Sequence, residues 1–283
     1  MSLILALLLQ VGPNPLAGAI AGDELVRDRP PRAEANAGST WFEACFDQIE
    51  ADPARAHTTA QIRRSETTGA DRVLANHCLG TAAAALGLWD DARAAFIAAH
   101  DETPADEQRT RARFAALAGN AALAGGDAAG ALDLLALAES DARAVSAASL
   151  GAIAATDRAR ALVILGRGDE ALAALEAATT LAPERSEGWL LKATLLRRLE
   201  RLDEAQGAIE RAALLTPDNP EIGLEAGVIA VLAGRDAAAR ASWESVIAIG
   251  PGPAAETAQE YLAQLGPAAE TPPATPQPQE LQP

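Results

Sequence analysis

The 283-residue sequence has a formal net charge of −16, and 49% of its residues are hydrophobic although only 3% are aromatic. Such a negative charge argues against a nucleic-acid-binding protein, because phosphate backbones are bound by basic surfaces. The hydrophobic residues are mostly alanine and leucine, which form helices readily, and few segments alternate with period two. The composition therefore predicts an all-α protein.

The first 21 residues are predicted to be a secretory signal peptide. An apolar run, Leu3–Leu9, is followed by small residues, with candidate cleavage sites after Ala19 and Ala21. No Lys or Arg precedes the run, so a disordered leader or a mis-chosen start codon is the alternative. The run is too short to span a bilayer. The signal predicts a periplasmic or otherwise exported protein, with a cytoplasmic protein as the alternative. Residues 22–38 are predicted to be a flexible linker.

Five segments after residue 70 repeat one amphipathic helix in the same frame. Each has an alanine followed by apolar residues four and seven positions later, which lie on one face of a helix. The alanines are Ala92, Ala131, Ala171, Ala205 and Ala239. Proline, which cannot continue a helix, stands twelve positions after the alanine in every segment except the second, where Arg143 replaces it.

A second helix is predicted upstream of each repeated segment. A small residue stands twelve positions before each alanine and lets the two helices approach closely; these residues are Gly80, Gly119, Ala159, Ala193 and Gly227. The connecting turns read GLWDDA, GGDAAGA, GRGDEA, ERLDEA and GRDAAA. In most of them, a glycine is predicted to end the first helix and an aspartate to cap the second.

This 34-residue helix–turn–helix pattern resembles the tetratricopeptide repeat. Five repeats are predicted within residues 71–253, at about 73–106, 112–145, 152–185, 186–219 and 220–253. Residues 39–70 are predicted to form a degenerate helix pair of the same kind, residues 254–266 a C-terminal capping helix, and residues 267–283 a disordered proline-rich tail. The resemblance implies a right-handed superhelical solenoid, with a concave groove lined by the first helix of each repeat.

The resemblance also implies that a partner binds in this groove. On the family's pattern, the inward-facing polar residues are Arg113, Asn120, Thr156, Arg160, Thr194 and Arg197, beside the apolar Leu190, Leu224 and Val228. Some members of the family hold a partner's terminal carboxylate with Lys, Arg and Asn in this groove, although no Lys stands at these positions here. Because arginine suits carboxylate recognition, we expect an acidic or C-terminal peptide. The alternative is that the arginines pair with carboxylates of neighbouring repeats or stay solvated.

Two cysteines, Cys45 and Cys78, occupy similar heights in the first helices of the degenerate pair and of the first repeat. Equivalent helices of adjacent repeats are neighbours, so the two sulfur atoms are expected to lie within reach of each other. In an oxidising compartment such a pair predicts a disulfide, and two buried free thiols are the alternative. A metal site with His77 is less favoured, because neighbouring side chains on a helix point about 100° apart and no fourth ligand has suitable spacing.

No motif in the sequence indicates catalysis or a cofactor. The chain has three histidines, and it lacks the GxSxG, HExxH, phosphate-loop and paired CxxC patterns. We therefore expect a non-enzymatic protein-interaction scaffold or adaptor in the cell envelope, without a cofactor, a metal or a nucleic-acid partner. An exported binder of a small anionic ligand and a cytosolic adaptor are the alternatives. A peptide requires an open groove, whereas a small ligand requires a closed cavity.

Overall fold

The structure is a computed structural model that describes residues 37–266, and these residues form thirteen α-helices and no strand. The predicted signal peptide (1–21), most of the predicted linker (22–38) and the predicted tail (267–283) lie outside the described residues. The first helix begins at Ala37, inside the predicted linker. The helices are α1 (Ala37–Ala51), α2 (Pro53–Glu66), α3 (Ala70–Ala85), α4 (Trp89–Glu102), α5 (Gln108–Ala124), α6 (Ala128–Ala144), α7 (Ala148–Ile164), α8 (Gly168–Leu181), α9 (Ser186–Arg198), α10 (Leu202–Leu215), α11 (Pro220–Leu232), α12 (Asp236–Ile249) and α13 (Pro253–Leu265).

The helices divide into two units, which consist of α1–α10 up to Thr216 and α11–α13 from Pro217 onwards. In the first unit, each helix packs against the next helix in the chain, and α1 also packs on α3, α5 on α7, and α7 on α9. Helix pairs are therefore stacked so that the first helices of successive pairs can be neighbours. In the second unit, α13 packs on both α11 and α12, and the ring of Tyr261 lies 5.1 Å from that of Trp243. The predicted all-α fold of helix pairs is confirmed.

The small residues of the repeat pattern are explained by the packing within each pair. A Cβ atom on Gly80 of α3 would lie 2.6 Å from Cε1 of Phe96 on α4, and one on Gly119 of α5 would lie 2.6 Å from Cγ of Leu135 on α6. Both distances are far shorter than a normal carbon–carbon contact, so only glycine allows these helices to approach so closely. All five alanines that define the repeat frame are completely buried.

The turns between paired helices agree only partly with the predicted capping. Gly87 and Gly166 end α3 and α7 in the left-handed conformation, with φ of 72° and 73°, as a terminating glycine does. Asp127 caps α6 by accepting a hydrogen bond from the backbone N–H of Gly130 at 2.8 Å. The aspartates of the other turns lie inside the first helical turn, so the predicted caps are wrong there. In those positions their charge still favours the helix N-terminus.

Candidate functional site

The six polar residues predicted to line the groove lie on three first helices, α5, α7 and α9. We call the surface of these three helices the first-helix face. Three of the six are buried and not exposed along an open groove: Thr156, Thr194 and Arg197 are 5%, 7% and 7% exposed. The hydroxyl of Thr156 donates to the carbonyl of Ala152 at 2.8 Å, so its hydrogen is used within α7.

A polar network crosses the first-helix face and joins its three helices. The guanidinium of Arg160 on α7 donates to the carboxylates of Asp157, one turn earlier, and of Glu187 on α9. The side chain of Asn120 on α5 hydrogen-bonds to Asp157 from the other side. Arg185 lies 3.5 Å from the second oxygen of Glu187. One guanidinium and two carboxylates thus link α7 to α9, and the Asn120 amide links α5 to them.

The charges of this network are set by burial and by mutual attraction. Burial raises the pKa of the Asp157 carboxyl, and the attraction of Arg160 only partly opposes that shift. Burial alone disfavours the charged form of Arg160, but Asp157 and Glu187 outweigh it and raise the pKa of its guanidinium. Arg160 therefore stays cationic, and its charge is already balanced by carboxylates of the same chain. Arg160 therefore pairs with carboxylates of its own chain, which is the alternative given above to partner binding by the groove arginines.

Three members of the network, Asp157, Glu187 and Arg185, are absent from the groove residues predicted from the sequence. A signal for Asp157 exists, because a carboxylate three residues before an arginine lies on the same face of a helix. Glu187 has a weaker signal, since it follows Arg160 by 27 residues and meets it only when two repeats stack. Its side chain is 33% exposed, compared with 8% for Asp157, so Glu187 is the solvent-facing carboxylate of the network.

A second cluster surrounds His77 on α3. The rings of all four phenylalanines in the sequence approach its imidazole, with centroid distances of 5.0 Å for Phe42, 5.8 Å for Phe46, 6.3 Å for Phe96 and 5.1 Å for Phe114. Burial, assisted by the positive charge of Arg113, lowers the pKa of His77 to about 4. The imidazole is therefore neutral at pH 7. Arg113, another of the six predicted groove residues, therefore acts electrostatically on His77.

A disulfide lies next to the aromatic cluster. Cys45 on α1 and Cys78 on α3 are bonded, their Cα atoms are 6.3 Å apart, and both residues are buried. Cys45 is followed by Phe46 and Cys78 is preceded by His77, so the bond and the aromatic cluster share the same two helices. Because both sulfurs are in the disulfide, neither is a thiolate that can bind a metal.

No group of three or more His, Cys, Asp or Glu side chains in residues 37–266 is placed to hold a metal ion. None of the helices α1–α13 combines the length and the hydropathy that a bilayer crossing requires.

The repeat geometry agrees with a known sequence family. The model described as Tetratricopeptide repeat matches residues 156–220 and 190–256, which include α8–α12 and parts of α7 and α13. Residues 156–256 of the chain are therefore tetratricopeptide repeats. The matched residues include Arg160, Glu187 and the whole of α9, so the α7 and α9 parts of the polar network lie within the matched repeats. A search of curated proteins finds no match.

Solved structures similar to this chain have the same fold. The structure of PilW, titled a widely conserved type IV pilus biogenesis factor, has a TM-score of 0.63 and 15% identity, over 80% of this chain and 100% of that one. BtubC (BKLC) from P. vanneervenii has a TM-score of 0.55 and 14% identity, over 88% and 100%. MamA (41-end) from Desulfovibrio magneticus RS-1 has a TM-score of 0.51 and 15% identity, over 62% and 94%. At these identities the likeness establishes the fold.

Proposed function

We propose that this tetratricopeptide repeat protein is a non-catalytic scaffold or adaptor that binds a peptide or protein partner on its first-helix face. The observation that carries the proposal is the polar network, which extends over three successive repeats and presents both a guanidinium and carboxylates. A stack of helix pairs offers an extended surface of this kind, and a partner segment can contact several repeats at once.

The partner that we propose is an acidic segment or the carboxylate at a partner's C-terminus. Arg160 is the central cation, but Asp157 and Glu187 already bind it. Because Glu187 is the more exposed of the two, a partner carboxylate would replace Glu187 on the guanidinium while Asp157 holds Arg160 in place. Binding is then an exchange of one carboxylate for another, and the released Glu187 retains Arg185 as a neighbour.

Peptides with a free C-terminal carboxylate and their amidated counterparts provide the test. Arg160→Ala removes charge-assisted hydrogen bonds worth about 1.5–3 kcal/mol each, so we expect affinity for the free acids to fall tenfold or more. Glu187→Ala removes the competing carboxylate and should raise that affinity. Arg167→Ala is the matched control, because Arg167 pairs with Glu170 at the exposed start of α8, outside the network.

The variants separate the candidate functions. Equal binding of free-acid and amidated peptides, or an unchanged affinity in Arg160→Ala, would exclude carboxylate recognition at this face. If small dicarboxylates bind as tightly as the peptides and are lost in the same variant, the alternative of an exported small-anion binder replaces the peptide proposal. Co-purified partners that are lost with Arg160→Ala but retained with Arg167→Ala would identify the natural ligand.

For the compartment, we propose the cell envelope. The disulfide between Cys45 and Cys78 supports this, since such bonds persist mainly in oxidising compartments. The expected observation is an intact mass, measured without reductant on protein from its native host, that lacks the N-terminal leader and two thiol hydrogens. A full-length mass with both thiols free would favour the cytosolic adaptor.

A further inference from the structure

The N-terminal helix pair, α1 and α2, is attached to the rest of the first unit largely through small side chains. Its core contains the buried Cys45, Ala60, Cys78, Leu79 and Ala95 and the half-buried Trp41, Phe42 and Ile49. The only buried residues of α2 are Ala56 and Ala60, which offer little apolar surface. Arg63 and Asp71 form the ion pair that joins α2 to α3, but at 3.5 Å and partly exposed it adds little stability.

The disulfide is therefore the strongest link at this contact. It fixes α1 on α3 at the point where Phe42 and Phe46 contact His77. Phe96 and Phe114 approach the same imidazole from α4 and α5. Helix α1 thus contributes two of the four phenylalanines of the cluster, and it covers an aromatic surface that belongs to the following repeats.

We propose that the Cys45–Cys78 disulfide is a redox latch that holds α1 and α2 over the aromatic surface of α3, α4 and α5. A dithiol reductant would open it: a thiolate attacks one sulfur, the second thiol resolves the mixed disulfide, and the reductant leaves as its own disulfide. Two electrons and two protons pass to the cysteines, which become thiols. The helix pair then undocks and uncovers His77, Phe96 and Phe114, while the remaining pairs stay folded on one another.

The geometry supplies a reason for local rather than global opening. Among the described residues, the α1–α2 pair packs mainly on α3, and an element held by few neighbours opens at a lower free energy than one packed on both sides. Phe96 and Phe114 also belong to a larger buried cluster with Val73, Ala92 and Ala118, which spans α3, α4 and α5. That cluster contains no residue of α1 or α2, so it can persist after the pair leaves.

Amide hydrogen exchange of the full chain, with and without dithiothreitol, tests the latch. Reduction should lower the protection of residues 37–66 at least tenfold and leave that of residues 108–216 within twofold. The double variant C45A/C78A should reproduce this pattern without reductant, and dithiothreitol should then cause no further change. Protection of residues 37–66 that stays within twofold on reduction would overturn the latch. An equal loss over residues 108–216 would overturn it too, because the disulfide would then support the whole array.

His77 provides an independent reading of the same event. In the oxidised protein its pKa is held at about 4 by burial and by the charge of Arg113. When Phe42 and Phe46 leave, water reaches the ring, and the NMR titration midpoint of His77 should rise towards the ordinary value of 6.5. A midpoint that stays near 4 in the reduced protein would mean that α1 remains docked, and the proposal would fail.

Discussion

Acidification should destabilise the N-terminal part of the protein through His77. Its folded-state pKa is about 4 and its ordinary value is 6.5. Between these two values the unfolded chain binds a proton that the folded chain does not, so folding stability falls as the pH decreases. The loss begins below pH 6.5 and is complete near pH 4, where the folded protein also binds the proton.

The magnitude follows from the size of the shift. Each pKa unit corresponds to about 1.4 kcal/mol, so the whole shift corresponds to at most about 3.5 kcal/mol. Since the ring is half-buried and solvent screens part of the effect, we expect about 2 kcal/mol between pH 7.0 and 4.5. The variant His77→Leu keeps an apolar side chain among the four phenylalanines and cannot titrate. It should lack this part of the pH dependence.

Two measurements check the reasoning. An NMR titration of the imidazole should give a midpoint near 4, and Phe42→Ala should raise that midpoint because it admits water to the ring. Amide exchange of α3 at pH 7.0 and 4.5 gives the local free energy of opening, to be compared between wild type and His77→Leu. A midpoint near 6.5, or the same pH dependence in both proteins, would refute the claim that burial among the phenylalanines controls His77.

Three further predictions concern stability. Asn76 is completely buried, and neither polar atom of its side chain has a hydrogen-bond partner among the described residues. Asn76→Ala should therefore increase the free energy of unfolding by about 1 kcal/mol and raise the melting temperature. A lower melting temperature would contradict this. Gly119→Ala should lower the free energy of unfolding by about 1–3 kcal/mol, because the added methyl group overpacks the helix contact. Gly207→Ala has open space around the added methyl group and should raise it by about 0.5–1 kcal/mol. Chemical denaturation measures both changes. Arg160→Ala should destabilise the protein by about 3 kcal/mol at pH 7, because it leaves Asp157 buried without its cation. Part of that loss of stability should disappear at low pH, where Asp157 is protonated.

The frame of the repeat could be predicted from the sequence because its requirements are local and recur. Ala92 and its four equivalents are completely buried, and Gly80 faces Phe96 at a distance that leaves no room for a side chain. Asn76 shows the limit of the same frame. Its equivalents, four residues before the small residue of each later repeat, are Ala115, Ala155, Trp189 and Gly223, so this position varies and the frame does not say what an amide does there.

The polar network and the aromatic cluster were harder to predict because they depend on how repeats stack. Arg160 was selected from its position in the frame, but its partner Glu187 comes from the next repeat, and the choice between solvent and that carboxylate depends on the spacing of α7 and α9. Phe42 and Phe46 belong to the degenerate pair, which has no regular frame. Nothing in the spacing of the sequence therefore indicated that they meet His77.

Because Arg160 is already neutralised, the anion binding that we propose for the first-helix face differs from that of a free arginine. A partner carboxylate gains a charge-assisted hydrogen bond only when Glu187 gives up its own, so part of the energy of that contact cancels. Most of the affinity must then come from the remainder of the segment that lies along α5, α7 and α9. The carboxylate contact adds the preference for free acids, because a partner without a carboxylate cannot displace Glu187. We therefore expect weak, salt-sensitive binding of isolated carboxylates and much tighter binding of segments that also contact the neighbouring repeats.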